Sequence, residues 1–416
     1  MTYREVLSQS GFRNLWLGQA ISQLGDAFYN VAFLFMVQKV TQNAIITGFV
    51  AACEWLPFLL LGPYAGVLAD RIDRKRIMLV SDLLSAAVLV VFGAIVLAGH
   101  HAPLWSLFVT PFCLSSIRVF FFPAKGAAIP RLVSSESLQA ANGLSMSTQS
   151  LMPLIGMPLS IAMVAPIYSR SPFAFLMTVI VINLVSYLVS AYFIQKLPEI
   201  VPERGEDSHP LQDAKDGFLY VLHHKVLLVV ALVSFVMNLF ISPFYIVYLA
   251  TNEAWFGGKP ETLATFEFSF FVGMVLGSAV AGKAKISRPA IANSVGLGLV
   301  GLTVAAMAYS QSFWPYVLWN VAAGLALPFA SIPMQAFIQS TTDDGFRGRV
   351  NSALQMVSAG VHPIGMAMAG IMVEQIGLVT SYLIMGFGML AAALGALLDR
   401  SYRRATLAPD PDPSHS

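Results

Sequence analysis

Gly66, Val67, Leu68, Ala69, Asp70, Arg71, Ile72, Asp73, Arg74, Lys75, Arg76, Ile77 is the stretch whose reading decides the fold. It packs six charges into twelve residues of a chain that is 11% charged overall, and an apolar run stands on either side of it. Charge at that density is too costly for hydrocarbon, so the stretch reads as a short aqueous loop between two membrane spans. Gly66 then lies at the end of the first span, where it is expected to let that helix approach a neighbour closely. A loop that only set topology would account for Arg71, Arg74, Lys75 and Arg76. It gives no reason for Gly66 or Asp70.

The rest of the chain is apolar on a matching scale. Hydrophobic residues make up 56% of the 416, and the mean hydropathy is +0.70. These values lie outside the range of soluble globular domains and predict an all-α, polytopic membrane protein. The net charge of +2 gives no reason to expect a nucleic-acid partner, because the basic residues are distributed by topology. Cys53 and Cys113 fall within apolar runs, so neither a disulfide framework nor a metal site is expected. No phosphate loop, nucleophile with its base, or metal cluster is visible, so the chain is not read as an enzyme and no catalytic residue is assigned. Asn-x-Ser/Thr is absent from the sequence, in keeping with a bacterial inner membrane. The first apolar run follows Arg4 and Arg13, is too long for a signal-peptide core and ends without a small-residue cleavage site, so it reads as the first span.

With about twenty residues as the length of a span, twelve runs emerge. In the first half they lie near 12–38, 44–69, 77–99, 103–122, 140–165 and 172–195. In the second they lie near 226–251, 262–282, 289–310, 313–337, 348–373 and 378–399. The expected organisation is a six-helix bundle over 1–196, a linker over 197–225, a second bundle over 226–402 and a disordered tail over 403–416. From about Leu211 to His224 the linker mixes apolar and charged residues as a helix lying on the membrane surface does. The basic residues test this topology. Of the 24 Lys and Arg, Lys39, Arg170 and Lys259 fall on the outer side and Arg118 alone within a span, leaving about twenty on the inner side. Both termini and the linker are therefore expected in the cytoplasm.

The halves also resemble each other at an offset of about 210 residues. Pro123, Asn142, Ile155 and Gly156 correspond to Pro333, Asn351, Ile364 and Gly365, and Gly62 and Gly66 correspond to Gly273 and Gly277. Parallel six-helix repeats are a transporter architecture. The position matching Asp70 is Ala281, so any switch that uses this acid works from the first half only.

The pattern Gly66, Leu68, Ala69, Asp70, Arg71, Arg74, Lys75, Arg76 resembles the signature loop between helices 2 and 3 of the major facilitator superfamily. Three further segments resemble the drug:proton antiporter branch that includes macrolide and siderophore exporters. They are Pro123 to Asn142, Asp213 with Gly217 and Phe218, and Phe346, Arg347, Gly348, Arg349, Val350, Asn351. Leu114 and Arg118 keep the spacing of the superfamily's helix 4 signature, although Phe122 stands at its glycine position, and Gly156, Met157, Pro158 replaces an adjacent Gly-Pro pair. The resemblance implies two pseudo-symmetric six-helix bundles and transport by alternating access. It also implies that Asp70 meets the start of helix 11; on physical grounds the exposed amides there favour an anion and Arg347 or Arg349 is placed to pair with it, with Arg71, Arg74 and Arg76 left to hold anionic lipid heads or Asp343 and Asp344. Pro123, Ala124, Lys125 and Gly126 also resemble a lysophospholipid translocator, which leaves lipid as an alternative substrate. From a different class, the alternative is a non-transporting sensor or scaffold.

Ionisable groups deep in the spans are the candidates for coupling. Asp26 lies about fourteen residues into the first helix, roughly 20 Å at 1.5 Å per residue, and Glu54 reaches a similar depth in the second. Arg118, about five residues from the end of its predicted helix, is read either as a partner of an acid or as a snorkelling cation. His362 is the fourth candidate, with a packing role as its alternative. Tyr29, Phe33, Trp55, Phe58, Asn238, Tyr245, Asn320 and Gln335 are the candidate lining of a substrate cavity. The expected partners are an amphipathic small molecule and membrane lipid, the expected assembly is a monomer, and the expected energy source is a proton gradient, with facilitated diffusion as the alternative, and with no cofactor and no metal.

Overall fold

The computed structural model describes residues 3–69, 71–201, 210–284, 286–342 and 346–406. In chain order its helices are α1 (Tyr3–Ser8), α2 (Ser10–Thr41), α3 (Ala44–Ala69), α4 (Arg74–Gly99), α5 (Leu104–Leu132), α6 (Leu138–Tyr168), α7 (Pro172–Gln195) and α8 (Pro210–His223). They continue as α9 (Lys225–Ile241), α10 (Phe244–Phe256), α11 (Pro260–Ala281), α12 (Pro289–Met307), α13 (Phe313–Thr341), α14 (Arg347–Ile376), α15 (Leu378–Ala396) and α16 (Arg400–Arg403). Among the described residues, 11 segments are long and apolar enough to cross a membrane, with α9 and α10 counted as one. The 31-residue α6 is long enough, about 46 Å at 1.5 Å per residue, to be a twelfth.

Local chemistry explains where several helices begin. Ser171 caps α7 by accepting from Ala174 N, with Pro172 in the first turn where its missing N–H costs nothing. Asp73 caps α4 through Lys75 N, and Asp399 caps α16 through Ser401 N and Tyr402 N. Two expected boundaries are corrected. The fourth spanning helix does not stop near 122 but continues through Pro123 and Pro130 to Leu132, since a proline inside a spanning helix is tolerated where neighbouring groups satisfy the freed carbonyl. The seventh is not one continuous rod: it breaks at Ser242 and Pro243 between α9 and α10, where proline removes a donor and crowds the preceding turn.

The chain divides into two compact units, Met1–Pro210 with Lys259–Ala264, and Leu211–Gly258 with Thr265–Ser416. Each is built on the same internal plan. In the first, α2 packs on α6 and α7, α4 on α5 and α7, and α3 on α5. In the second, α9 packs on α14 and α15, and α12 on α13 and α15, while α11 meets α13. The repeat extends to single residues. A Cβ on Gly156 of α6 would stand 2.6 Å from Ala27 Cβ on α2, and one on Gly365 of α14 would stand 3.0 Å from Leu239 O on α9. The second unit's core is rich in aromatic rings joined by hydroxyls: Tyr316 and Tyr382 share a hydrogen bond of 2.6 Å, and Tyr382 meets Thr251 Oγ1 at 2.9 Å.

The expected close approach at Gly66 is not found. Among the described residues no atom comes within 4 Å of where a Cβ on Gly62 or Gly66 would stand. Their second-half counterparts make the approach instead. A Cβ on Gly273 or Gly277 would collide with the carbonyl oxygens of Val321 and Leu325 on α13, and one on Gly324 would collide with Phe270 O on α11. Backbone contact of this kind needs glycine on both helices. Gly324→Val should therefore destabilise the protein by about 1–3 kcal/mol through overpacking, read as a lowered melting temperature in detergent. Gly62→Val should melt within a degree or two of the wild type. Equal losses for the two variants would show that glycine does not set the α11–α13 spacing.

Candidate functional site

Arg118 is the centre of the site, and its depth differs from the sequence reading. Because α5 runs to Leu132, Arg118 stands at the middle of a 29-residue helix, too deep for its side chain to snorkel out. It pairs instead with two acids on two other helices. Arg118 Nη2 lies 2.5 Å from Asp26 Oδ2, and Nη1 lies 4.0 Å from Glu54 Oε1. Asp26 is itself near the middle of the 32-residue α2. Three of the four candidate coupling residues are thus brought together within one unit.

The positioning comes from packing around each group. Gly25, beside Asp26, lies so close to α7 that a Cβ there would meet Asn183 Oδ1 at 2.9 Å. This contact presents Asp26 to Tyr187, whose Oη donates to Asp26 Oδ1 at 2.6 Å. On the other side Ser115 Oγ donates to the backbone carbonyl of Glu54, which locks α5 against α3 one turn from Arg118. Asp26 is therefore held from both sides, by Arg118 at one oxygen and Tyr187 at the other.

Asp26 and Arg118 open on a cavity of about 30 Å³ that is also lined by Asp82, Gln19, Gln23 and Tyr187. That volume is enough for about one ordered water among polar partners. Asp82, on α4, is 3% exposed, and its carboxyl lies within hydrogen-bonding reach of the Ser190 hydroxyl on α7. Asp82, Tyr187 and Lys125 were not anticipated. The signal for Asp82 was there: an acid inside the apolar run from Ile77 to Gly99. Lys125 was counted with a loop, yet it sits inside α5 at 6% exposure. Tyr187 has no sequence signal apart from its neighbour in space.

The other candidates are dispersed. His362 is half-buried on α14 of the second unit, against the backbone of Ser358 one turn earlier. Tyr29 and Phe33 are both 2% exposed and stack at 5.0 Å in the first unit's core. Trp55 pairs with Phe58 at 6.1 Å, and Phe58 with Phe122 at 6.3 Å; Phe122 lines the Asp26 cavity. In the second unit Asn238 donates to Ser234 O, and the fully buried Asn320 donates to Tyr316 O. Tyr245 is half-buried and Gln335 exposed.

For the signature loop, Asp70 lies outside the described residues, as do Asp343 and Asp344 and the side chain of Arg347. Arg349 stacks its guanidinium over Phe346 at 5.4 Å. Arg71 is exposed and Arg74 buried. The described part of the loop clamps the chain leaving α7: Lys75 Nζ donates to Leu197 O at 2.6 Å, Ile200 N donates to Asp73 at 3.0 Å, and Arg74 N donates to Ile200 O at 3.2 Å. Arg76 lies 3.8 Å from Asp73 and 3.9 Å from Glu199.

The model of the Major Facilitator Superfamily matches residues 15–257, from α2 through α10. Macrolide efflux protein A of Streptococcus pyogenes is 26% identical over 401 residues, covering 95% of this chain and 97% of its own. The staphyloferrin A transporter of Staphylococcus aureus is 22% identical, covering 91% and 92%. Among solved structures, the nucleoside transporter NupG superposes with a TM-score of 0.70 at 14% identity, over 93% of this chain and 98% of its own.

The Asp26–Arg118 contact predicts a measurable coupling. In a double-mutant cycle of Asp26→Asn and Arg118→Gln, thermal stability should show a coupling energy of about 1–3 kcal/mol. Strictly additive losses would mean that the two groups do not interact.

Proposed function

The chain belongs to the Major Facilitator Superfamily, and we propose that within it this protein exports amphipathic small molecules in exchange for protons. Drug, macrolide or siderophore-like compounds are the substrate class, by likeness to the macrolide and staphyloferrin relatives. Alternating access follows from rocking of the two six-helix units. The protein lies in the inner membrane with both termini in the cytoplasm, works as a monomer amid lipid and uses the proton gradient in place of a cofactor.

The observation that carries proton coupling is the charge count around Arg118. One guanidinium faces Asp26 and Glu54 directly, with Asp82 on the same cavity. A single positive charge balances one carboxylate, so the remaining carboxyls are neutral only when they hold protons. Charge is expensive at this depth, and the cluster therefore exchanges protons as its surroundings open to one side or the other. When Asp26 takes a proton its hold on Arg118 weakens, and Glu54, 4.0 Å away, is the next anion within reach. This handover couples protonation to the packing of α2, α3 and α5. The aromatic series Trp55, Phe58 and Phe122 adjoins the cluster, supplying adaptable apolar contact next to a titrating centre.

The test is substrate-stimulated proton movement in proteoliposomes, with a panel of macrolides, siderophores and lysolipids. Wild type should move protons with at least one macrolide or siderophore, and Asp26→Asn or Glu54→Gln should abolish this while binding survives. Transport without a proton gradient, retained by both variants, would overturn antiport, and selective transport of lysolipid would move the substrate assignment to lipid.

Asp70 is proposed as the gate, paired with the start of α14 through Arg347 or Arg349. Asp70→Asn should raise the reactivity of cytoplasmic cysteine probes and slow transport several-fold, in line with loss of a coupling of about 1–2 kcal/mol. Unchanged probe reactivity together with unchanged transport sinks the gate.

A further inference from the structure

A second polar cavity lies beside the first, in the same unit. Its volume is about 10 Å³, and its polar lining is Lys125 of α5, Trp16, Gln19 and Gln23 of α2, and Ser145 and Thr148 of α6. Lys125 stands seven residues before the end of α5, about 10 Å of helix rise, against about 21 Å for Arg118. Its side chain has no hydrogen-bond or ion-pair partner among the described residues, and it is 6% exposed. An ammonium group in a membrane span normally faces an anion or water. Among the described residues, no acid lines this cavity. The titratable groups nearest on the packed helices belong to the larger one: Asp26 on α2, Asp82 on α4, Arg118 on α5 and Tyr187 on α7, with Glu54 of α3 reached through Arg118.

Gln19 and Gln23 line both cavities. Gln23 Nε2 donates to Gln19 Oε1 at 3.3 Å, while Gln23 Oε1 is buried without a partner. A donor lacking an acceptor and an acceptor lacking a donor thus border one cavity about the size of a water, and a water there satisfies both. Trp16 Nε1 donates to Thr148 Oγ1 at 2.8 Å, pinning α2 to α6 at this level and keeping the space small. The two glutamines form the divider between the space around Lys125 and the space around Asp26.

We propose that Lys125 is a second proton-exchanging group of the transport cycle, connected to Asp26 through water held by Gln19 and Gln23. The Lys125 ammonium loses a proton to the intervening water, which passes one to the Asp26 carboxylate. One N–H bond is broken, one O–H bond is formed, and total charge is unchanged. The transfer replaces two charges with two neutral groups and releases Arg118 toward Glu54; Lys125 then takes up a new proton from the Leu132 end of α5, which leaves Asp26 protonated and brings one proton in from that side until Asp26 gives its own up. This relay deepens the antiport reading and rests on it.

The experiment is pH-jump infrared spectroscopy of the reconstituted full chain, without substrate. It follows the protonated-carboxyl band that Asp26→Asn removes. Lys125→Met should fold, because replacing an unpaired buried charge with an apolar side chain of similar volume is tolerated; its melting temperature checks this. In that variant the Asp26 band should rise and fall roughly tenfold or more slowly than in the wild type, the scale on which a positioned acid–base group acts. Gln23→Leu should show the same slowing with Lys125 in place. Lys125→Arg, which keeps the charge without exchanging the proton, should stay slow. Wild-type rates in Lys125→Met or in Gln23→Leu overturn the relay, as does recovery in Lys125→Arg or the absence of an Asp26-dependent band. Failure of substrate-driven proton flux with the relay intact would fall on the antiport reading instead.

Discussion

A guanidinium at the middle of a membrane span has to be answered by anions from other helices, and much of the first unit is arranged to meet that demand. Arg118 can neither snorkel to the membrane surface nor lose its proton, so α2 and α3 each present a carboxylate to it. Holding those carboxylates in place sets the helix spacing. Gly25 brings α2 against Asn183 and Ser186 of α7, and the Ser115 hydroxyl ties α5 to the Glu54 backbone. These contacts are small and directional, as expected where lipid gives no hydrophobic drive for helices to associate. The ion pair thus sits among glycine and serine contacts within one helical turn of it, at Gly25 and Ser115.

Charge arithmetic then links fold to function. A cluster with more carboxyls than cations can be neutral only by carrying protons, and in the proposed cycle each proton changes which acid Arg118 holds. Lys125 borders the same divider, and its proposed exchange of a proton with Asp26 alternates charged and neutral forms with no net charge moved. The loop from Asp73 to Arg76 belongs to the same economy: its ion pairs and hydrogen bonds go to Leu197, Glu199 and Ile200, fixing the exit of α7, the helix that carries Tyr187.

The fold was legible because hydropathy and the charged loop both depend on the cost of burying charge, which is large and local. The helix pairings repeated in both units, and the matched glycines Gly156 and Gly365, follow from the offset already visible in the chain. What was misread depended on tertiary context. Pro123 and Pro130 carry loop chemistry in isolation, yet α5 runs through both, and that error placed Arg118 too near an end and Lys125 outside the span. Asp82 disappeared into an otherwise apolar run, although an acid there is a candidate by burial cost alone. Gly66 was given the close approach that Gly277 makes, because two equivalent glycines cannot be distinguished without their neighbours. Asp26, Glu54 and Arg118 could be named individually from depth; that they converge, with Tyr187 as the fourth member, depends on helix rotations that hydropathy does not specify.

The two units also show why a repeat keeps its sterics and loses its charges. Gly156 and Gly365 are retained at matching places because each copy must seat the same pair of helices, and a side chain there would clash in either one. The charged positions answer to a different constraint. The position equivalent to Asp70 is Ala281, 3% exposed and needing no counter-charge, and the second unit closes its core with the hydroxyls of Tyr316, Tyr382 and Thr251 rather than with an ion pair there. A second ion pair would add burial cost, whereas the tyrosine and threonine hydroxyls satisfy one another without charge. Divergence of the charges between copies that keep a shared helix pairing is therefore what the cost of burying charge in a membrane interior favours.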